Sequence, residues 1–252
     1  IFADLLSSAR TLPAPKELIT HFDAALQSAE APLPEQILHF GGRFTSKTLL
    51  TWIKTNKIKT LQISPDPERI EPVGAARIWS DPESFCSAYA TPSEKDPSWL
   101  AEWKHFDEQI KEQREKCFSE KHPFTEPDIM RAIGKQIPED WILFLGNSMP
   151  IRDAELFLFP QKPFAFFANR GLSGIDGQIA TAVGIASKLN KPLCLILGDQ
   201  STLHDLNSLP LLHNLKTPFQ LIISNNFGGG IFSHLPVAED PHFERLFVNP
   251  HN

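Results

Sequence analysis

The fold of this chain is decided by residues 193–199, which read LCLILGD and end an apolar run on an acid. A second apolar run, LIIS at 221–224, is followed by two asparagines, and Asn226 stands 27 residues after Asp199. Short, wholly apolar runs are typical of strands that are buried in a parallel sheet. Between them, leucines recur at regular spacing over 205–215, which favours a helix. We therefore predict a strand–helix–strand unit.

Each of the two apolar runs ends at a side chain that carries an oxygen. A right-handed crossover makes both strands end at the same edge of the sheet, where open α/β sheets bind ligands. Asp199, Asn226 and the glycines at 228–230 suit a hard cation that holds a diphosphate. For Gly198-Asp199 alone, the alternative is a turn whose Asp caps a helix, and the spacing to Asn226 favours cofactor binding.

Alternating strand and helix patterns predict an α/β fold with two doubly wound parallel-sheet domains. Expected strands lie at 37–40, 60–63, 141–145, 164–168, 193–197 and 219–223. Expected helices lie at 46–54, 97–116, 126–136, 151–159, 174–189 and 205–215. Prolines are dense between positions 65 and 97, which predicts an irregular rim with short strands. We predict a first domain at 1–118, a polar linker at 119–126 and a second domain at 127–252. We expect the second domain to be truncated at its C-terminal end.

Composition excludes several classes of protein. At 252 residues, with 41% hydrophobic and 21% charged residues, the chain can bury one large core or two medium ones. The net charge of −6 gives no electrostatic basis for binding nucleic acid, and no apolar run is long enough to span a membrane. The cysteines, at positions 86, 117 and 194, lack metal-ligand spacing. We therefore interpret Cys86, Cys117 and Cys194 as reduced thiols, which favours a cytoplasmic protein. We interpret one aromatic stripe as core-facing rather than base-stacking: Trp99, Trp103, Phe106 and Ile110.

Three further motifs narrow the function. They are GNSMPIR at 146–152, NRGLSGIDG at 169–177 and NNFGGGIFS at 225–233. With Gly198-Asp199, they resemble the family of 2-succinyl-5-enolpyruvyl-6-hydroxy-3-cyclohexene-1-carboxylate (SEPHCHC) synthases of menaquinone biosynthesis. The resemblance covers the chain, most strongly from about residue 124 onward. Gln200 departs from the general thiamine diphosphate (ThDP) signature, which has Gly there, but this family does not restrict that position.

The resemblance implies ThDP as cofactor, with Mg²⁺ (or Mn²⁺) bound by Asp199, Asn226 and Gly228. It implies that the cofactor contacts a wider set: Gly198, Asp199, Gln200, Ser201, Asn226, Gly228, Gly229, Ile175 and Ile231. Ile175 matches the aliphatic residue that holds ThDP in a folded shape. The structural alternative for a lone Ile is an ordinary core position.

The implied reaction is decarboxylation of 2-oxoglutarate and addition of the resulting carbanion to isochorismate. Residues implied to act on the reacting groups are Ile175, Arg152, Arg170 and Ser148. Residues implied to bind substrate are Asn147, Ser148, Arg152, Arg170, Lys47, Phe232 and Leu235. Guanidinium groups suit dicarboxylate substrates. The alternative roles are a surface ion pair for each arginine, a helix cap for Ser148 and a solvated surface position for Lys47. We interpret His204 as a residue at the rim of the site.

Two rival functions remain open at this point. One is another ThDP-dependent lyase or synthase, similar to acetolactate synthase, and the other is a non-catalytic α/β scaffold. The resemblance also implies a homodimer or homotetramer whose site is shared between subunits. Because the family's activating Glu lies in an N-terminal domain, and residue 1 already matches the middle domain, we expect this chain alone to be inactive.

Overall fold

The computed structural model describes residues 1–10, 13–66, 76–89, 97–159 and 164–251. The chain divides into two compact units, one formed by residues 1–4 and 15–122, the other by 5–14 and 123–252. The predicted domain bounds of 1–118 and 127–252 stay a prediction.

The first unit contains a three-stranded parallel sheet in the order β1-β2-β3. Its strands are β1 (Gln36–Phe40), β2 (Lys59–Ile63) and β3 (Ala76–Ile78). Its helices are α1 (Phe22–Ala25), α2 (Lys47–Thr55), α3 (Pro82–Ala88) and α4 (Pro97–Ser119). Helix α2 begins after Ser46, whose buried hydroxyl accepts a hydrogen bond from the Leu49 backbone N–H at 2.9 Å. The cap satisfies a donor that the first turn of the helix leaves free.

The aromatic stripe of α4 faces the core of the first unit, as predicted. Trp103 is 3% exposed, and Phe106 and Ile110 pack against the same apolar cluster. Trp99 lies at the edge of this cluster, with its ring 6.1 Å from that of Trp103. Trp99 is 37% exposed, so the stripe faces the core at three of its four positions.

The second unit contains a four-stranded parallel sheet in the order β5-β4-β6-β7. Its strands are β4 (Ile142–Leu145), β5 (Ala165–Phe167), β6 (Leu193–Gly198) and β7 (Phe219–Ser224). Its α-helices are α5 (Glu126–Gln136), α6 (Met149–Phe157), α7 (Gln178–Leu189) and α8 (Asp199–His204). The unit also contains helices of other types. Within the described residues, four are 3₁₀ helices, Ser8–Arg10, Leu206–Asn214, Gly230–His234 and Pro236–Glu239, and one is a π-helix, Glu244–Val248. The prediction of an α/β fold with two parallel sheets is confirmed.

Strand residues of the second sheet alternate between two apolar clusters. Leu143 and Leu145 pack in one cluster with residues of α5 and α6. Ile142 and Phe144 pack in the other with residues of α7. All four are 0% exposed, and burying one such side chain contributes about 1.5–3 kcal/mol. Helices therefore cover both faces, which explains why strand β4 is apolar throughout rather than alternating.

The strand order creates a switch point between β4 and β6. The chain leaves β4 toward β5 on one side, whereas it leaves β6 toward β7 on the other. The two neighbouring strands therefore send their connections in opposite directions. A crevice forms outside the carboxyl ends of strands at such a point, and ligands bind there in α/β sheets.

One predicted helix differs from the structure. The segment predicted as a single α-helix at 205–215 is a 3₁₀ helix, Leu206–Asn214, which follows the short helix α8. Its leucines recur every three residues, which is the period of a 3₁₀ helix and not of an α-helix. Pro210 also lies inside it and provides no N–H for an α-helical bond. The prediction of an α-helix for this segment was therefore wrong, although the segment is helical.

The proline-dense stretch also differs in part from the prediction. It contains strand β3, one of the short strands that were predicted, and also helix α3, which the sequence did not predict. Asp81 caps α3 by accepting a hydrogen bond from the Ser84 N–H at 2.9 Å, and Pro82 opens the helix. Pro suits this first position because its missing N–H has no helical partner there. Residues 67–75 and 90–96 of this stretch lie outside the described residues.

The cysteines are free thiols. Cys86 and Cys117 are exposed, and Cys194 is buried in strand β6. Burial raises the pKa of the Cys194 thiol to about 11, which makes it an inert core residue.

Candidate cofactor site

A cavity of about 330 Å³ opens at the switch point of the second sheet. Its wall is built from the ends of β4, β6 and β7 and from the segments that follow them. The lining includes Ser148 after β4, Asp199 after β6 and Asn226 after β7. The arrangement brings together oxygens from three separate turns of the chain. Asp199 and Asn226 are therefore brought to one cavity, as their spacing predicted.

Asp199 is a buried acid at the cavity wall. It is 6% exposed and is the first residue of α8, whereas the cap position is Gly198. The alternative in which Asp199 caps the helix is therefore not what the structure contains. His251 Nε2 lies 2.6 Å from Asp199 Oδ2. This contact engages one carboxylate oxygen of Asp199.

The glycine loop after β7 packs closely against the segment around residues 247–248. The Gly229 N–H donates to the Val248 carbonyl oxygen at 2.6 Å. A Cβ on Gly229 would meet the Phe247 carbonyl oxygen at 2.5 Å, closer than real Cβ atoms approach. Only glycine therefore fits at this position, and the loop can place its own backbone against the cavity. Asn226 is exposed and lines the cavity.

Oxygen donors of this kind fit a hard cation. Asp199 provides a carboxylate, Asn226 an amide oxygen and Gly228 a backbone carbonyl, and all three residues line the one cavity. Mg²⁺ binds through a few protein oxygens together with phosphate oxygens and water. In the ranges that the structure describes, no group of three or more His, Cys, Asp or Glu residues could hold a metal. The proposed metal ligands include a single carboxylate, so phosphate oxygens and water would have to complete the coordination of an ion held here.

A buried amide network fixes the loop that carries Ile175. Asn147 is 0% exposed, and its Nδ2 donates to the Gly174 carbonyl oxygen at 2.7 Å. The Asn147 N–H donates to Gln178 Oε1 at 2.9 Å, and Gln178 Nε2 donates to the same Gly174 oxygen at 3.3 Å. Arg170 Nη1 donates to Asn147 Oδ1 at 2.9 Å. The end of β4 thus holds Ile175 at the cavity wall.

Ser148 adopts a backbone conformation that is unusual for a residue with a side chain. Its φ is 72° and its ψ is −128°, and its hydroxyl makes no capping bond to α6. Such strain costs about 1–3 kcal/mol and concentrates at functional sites. Arg152, one turn later, is exposed and donates through Nη1 to the Ser148 carbonyl oxygen at 2.5 Å.

Comparison with known proteins identifies the family of this chain. A family model described as the middle domain of thiamine pyrophosphate matches residues 1–145, which is more than half of the chain. The chain belongs to this thiamine pyrophosphate enzyme family. The predicted membership of a thiamine diphosphate enzyme family is confirmed, by a match that ends just before the first of the quoted motifs.

Curated relatives extend the match to the rest of the chain. It is 36% identical to a SEPHCHC synthase of Rubrobacter xylanophilus, with 100% of this chain and 45% of the relative aligned. It is 35% identical to the Bacillus velezensis synthase, over 99% and 45%. It is 36% identical to that of Chloroflexus aurantiacus, over 100% and 45%. The chain therefore spans less than half the length of these relatives.

The predicted cofactor set and the predicted substrate set are placed differently in this thiamine pyrophosphate family member. The cavity is lined by every residue predicted to contact the cofactor: Gly198, Asp199, Gln200, Ser201, Asn226, Gly228, Gly229, Ile175 and Ile231. Of the predicted substrate residues, only Ser148 and Phe232 line it. The structure thus brings the cofactor set together, and the roles of the individual residues stay predictions.

The remaining substrate residues lie outside the cavity lining. Asn147 is buried behind it, and Leu235 is 40% exposed after the glycine loop. Lys47 is the exposed first residue of α2 in the first unit. His204 lines the cavity and is exposed, in agreement with a rim position.

Sequence reasoning missed several residues of the site. Gln178 is fully buried and bonds Asn147 across 31 positions. Gln200 Nε2 donates to the Asn249 carbonyl oxygen at 3.0 Å, and Asn249 Nδ2 donates to Gln200 Oε1 at 3.1 Å. Asp153 and Glu126 line the cavity beside Ser148. No local pattern marks these contacts, except that Asp153 directly follows Arg152 in the GNSMPIR motif.

None of the helices in the described ranges combines the length and the hydropathy that a bilayer crossing requires.

Proposed function

We propose that this chain forms the middle and diphosphate-binding parts of a SEPHCHC synthase. The proposed reaction is decarboxylation of 2-oxoglutarate and conjugate addition of the remaining carbons to isochorismate, with release of CO₂. One observation carries the proposal: all of the residues that the motifs assign to the cofactor line a single cavity at the switch point of the second sheet.

The chain's own residues are proposed to bind and shape the cofactor. Asp199, Asn226 and Gly228 would hold Mg²⁺ or Mn²⁺, which in turn binds the diphosphate. Ile175 would support the folded shape of ThDP, because the Asn147 network holds it at the cavity wall. ThDP itself supplies the ylide and the electron sink for decarboxylation, so the protein contributes binding and orientation.

Substrate recognition is proposed to depend on the two arginines near the cavity. Arg152 and Arg170 lie beside Ser148 and Asn147, as their hydrogen bonds show. A planar guanidinium group binds a carboxylate through two parallel bonds, and both proposed substrates are dicarboxylates. Phe232 and Leu235 would form an apolar wall, and Lys47 would reach the acceptor substrate.

Assembly and location are also proposals. We propose a homodimer or homotetramer in which two subunits share each site, acting in the cytoplasm. Support for a reducing compartment comes from the three free thiols among the described residues.

The test is an assay of the full-length protein with ThDP and Mg²⁺. We expect CO₂ release from 2-oxoglutarate and formation of SEPHCHC when isochorismate is present. Turnover of pyruvate with no use of 2-oxoglutarate would favour the acetolactate-synthase-like alternative. Failure of ThDP to bind would instead favour the non-catalytic scaffold.

Removing Arg152 is expected to reduce use of substrate selectively. Hydrogen bonds to charged groups contribute about 1.5–3 kcal/mol, so Arg152→Ala should lower kcat/KM for 2-oxoglutarate or isochorismate by about 10- to 150-fold. ThDP affinity should change little, because Arg152 does not line the cavity. Steady-state kinetics together with calorimetry measure both quantities.

Arg170→Ala provides the contrast. Because Arg170 donates to Asn147, which holds Gly174 next to Ile175, we expect weaker ThDP binding in addition to lower kcat/KM. Lys188→Ala, at an exposed position of α7, is the matched control for loss of a positive charge. Wild-type kcat/KM for both substrates in both arginine variants would contradict the assignment.

A further inference from the structure

Asp153 on helix α6 is the most unusual titratable group of the cavity. The residue is 5% exposed, and it lines the cavity. Its Oδ2 has no hydrogen-bond partner among the described residues. A buried polar atom without a partner is unfavourable, and in native structures it needs an explanation such as a bound ligand.

The surroundings of Asp153 favour its neutral form. Burial is the main cause that raises the pKa of the Asp153 carboxyl to about 7, and the negative charge of Glu126 at the start of α5 acts in the same direction. Arg152, next to it on α6, opposes both effects. The other titratable groups that line the cavity are Asp199 and His204, both on α8. Near neutral pH, the carboxyl therefore exchanges readily between its two forms.

A second metal site, beside Asp153 and Glu126, is a poor explanation for the unpartnered oxygen of Asp153. No cluster of three or more acidic, His or Cys residues that could hold a metal occurs in the described part of the chain. The lining next to the two carboxyl groups is apolar, from Ile129, Met130 and Pro150. A carboxylic acid that keeps its proton needs no countercharge, and it can donate one hydrogen bond.

We infer that the Asp153 carboxylate takes up a proton when an anionic diphosphate ligand enters the cavity, and that it then acts as a neutral acid. In its protonated form it donates a hydrogen bond through Oδ2 to an oxygen of the ligand. The proton comes from solvent and returns there when the ligand leaves. The inference rests on the proposed function, because it takes ThDP with its metal ion as the ligand.

Proton uptake can be measured directly. The full-length protein is titrated with ThDP and Mg²⁺ by calorimetry at pH 8, in buffers of different ionisation enthalpy. Inorganic pyrophosphate with Mg²⁺ is the second probe. We expect the wild type to take up close to one proton more per site than Asp153→Asn, which mimics the neutral acid. Proton exchange by the ligand itself is common to both proteins and cancels in the difference.

The same coupling predicts a pH dependence of affinity. Above pH 7, the wild-type affinity for ThDP should fall by up to about tenfold per pH unit relative to that of Asp153→Asn. Glu126→Gln should move the onset of this fall to lower pH, because one negative charge is removed. Asp140→Asn removes a carboxyl from an exposed turn and is the matched control, with wild-type behaviour expected.

A second readout needs no ligand. The folded protein holds a proton on Asp153 that the unfolded chain, with an ordinary carboxyl pKa near 4, releases. Stability from this group is therefore lost as the pH rises from about 4 to 7. The Tm of Asp153→Asn minus that of the wild type should increase between pH 4.5 and pH 8, whereas the Asp140→Asn difference should stay constant.

The outcomes separate the two proposals. Equal proton uptake by wild type and Asp153→Asn would overturn the role of Asp153 and leave the proposed function intact. If the wild type binds neither ThDP nor pyrophosphate, the proposed function fails and the role of Asp153 in ligand binding fails with it. A Tm difference that does not change with pH would show that Asp153 is not held as a neutral acid.

Discussion

Asp199→Ala is expected to abolish Mg²⁺-dependent binding of ThDP by the full-length protein. Asp199 is the only charged group among the three proposed metal ligands, and it is 6% exposed at the cavity wall. Replacing residues that merely support a metal ligand typically costs about 10- to 100-fold in metal affinity, so loss of the ligand itself should exceed this range. Calorimetry with ThDP and Mg²⁺ measures the change.

Two further variants show whether charge or contact is responsible. Asp199→Asn keeps the size of the side chain and its reach toward His251 Nε2, but it removes the charge, and it should also fail to bind ThDP tightly. Asn226→Ala should weaken binding less, because water can replace a neutral ligand. Unchanged affinity of Asp199→Ala would refute the metal assignment.

Glu155→Ala is expected to cost about 3–5 kcal/mol of unfolding free energy, since it removes one member of a buried ion pair. Arg10 and Glu155 form an ion pair at 3.2 Å, and each side chain is only 3% exposed. Glu155 Oε2 also accepts a hydrogen bond from the Leu5 N–H at 2.7 Å. All three residues belong to the second unit. Denaturant unfolding followed by circular dichroism gives the change.

The exposed pair Glu108–Lys111 is the matched control. Its atoms approach to 2.8 Å, but the side chains are 57% and 53% exposed, so Glu108→Ala should cost less than about 1 kcal/mol. A double variant, Arg10→Met with Glu155→Leu, should recover much of the loss because it removes both charges of the pair. Similar losses for Glu155→Ala and Glu108→Ala would show that the buried pair has no special role.

Strands and most helices were predictable from the sequence because their signals are local. Apolar runs located β4, β6 and β7 to within a residue or two, and α5 was predicted at its observed bounds, Glu126–Gln136. The 3₁₀ segment was missed because a leucine spacing of three was taken for helical spacing. Helix α3 was missed because the prolines around it were taken as a sign of irregular structure.

The cofactor side of the site was also predictable, whereas its supporting contacts were not. Asp199 and Asn226 end neighbouring strands, so the topology alone brings them together. Gln178 bonds Asn147 across 31 positions and His251 meets Asp199 across 52. Such contacts depend on the folded path of the chain. Burial of Asp153 is likewise a property of how α5 and α6 pack, and no spacing rule reveals it.

The network around Asn147 has a consequence for the thermodynamics of ligand binding. The Gly174 carbonyl oxygen accepts two side-chain hydrogen bonds, one from Asn147 and one from Gln178, and both donors are 0% exposed. The loop before α7 is therefore ordered during folding and does not wait for a ligand. Its conformational entropy is lost in the folding step. A ligand that meets Ile175 encounters a preorganised wall, so less of its interaction energy is consumed in ordering the protein.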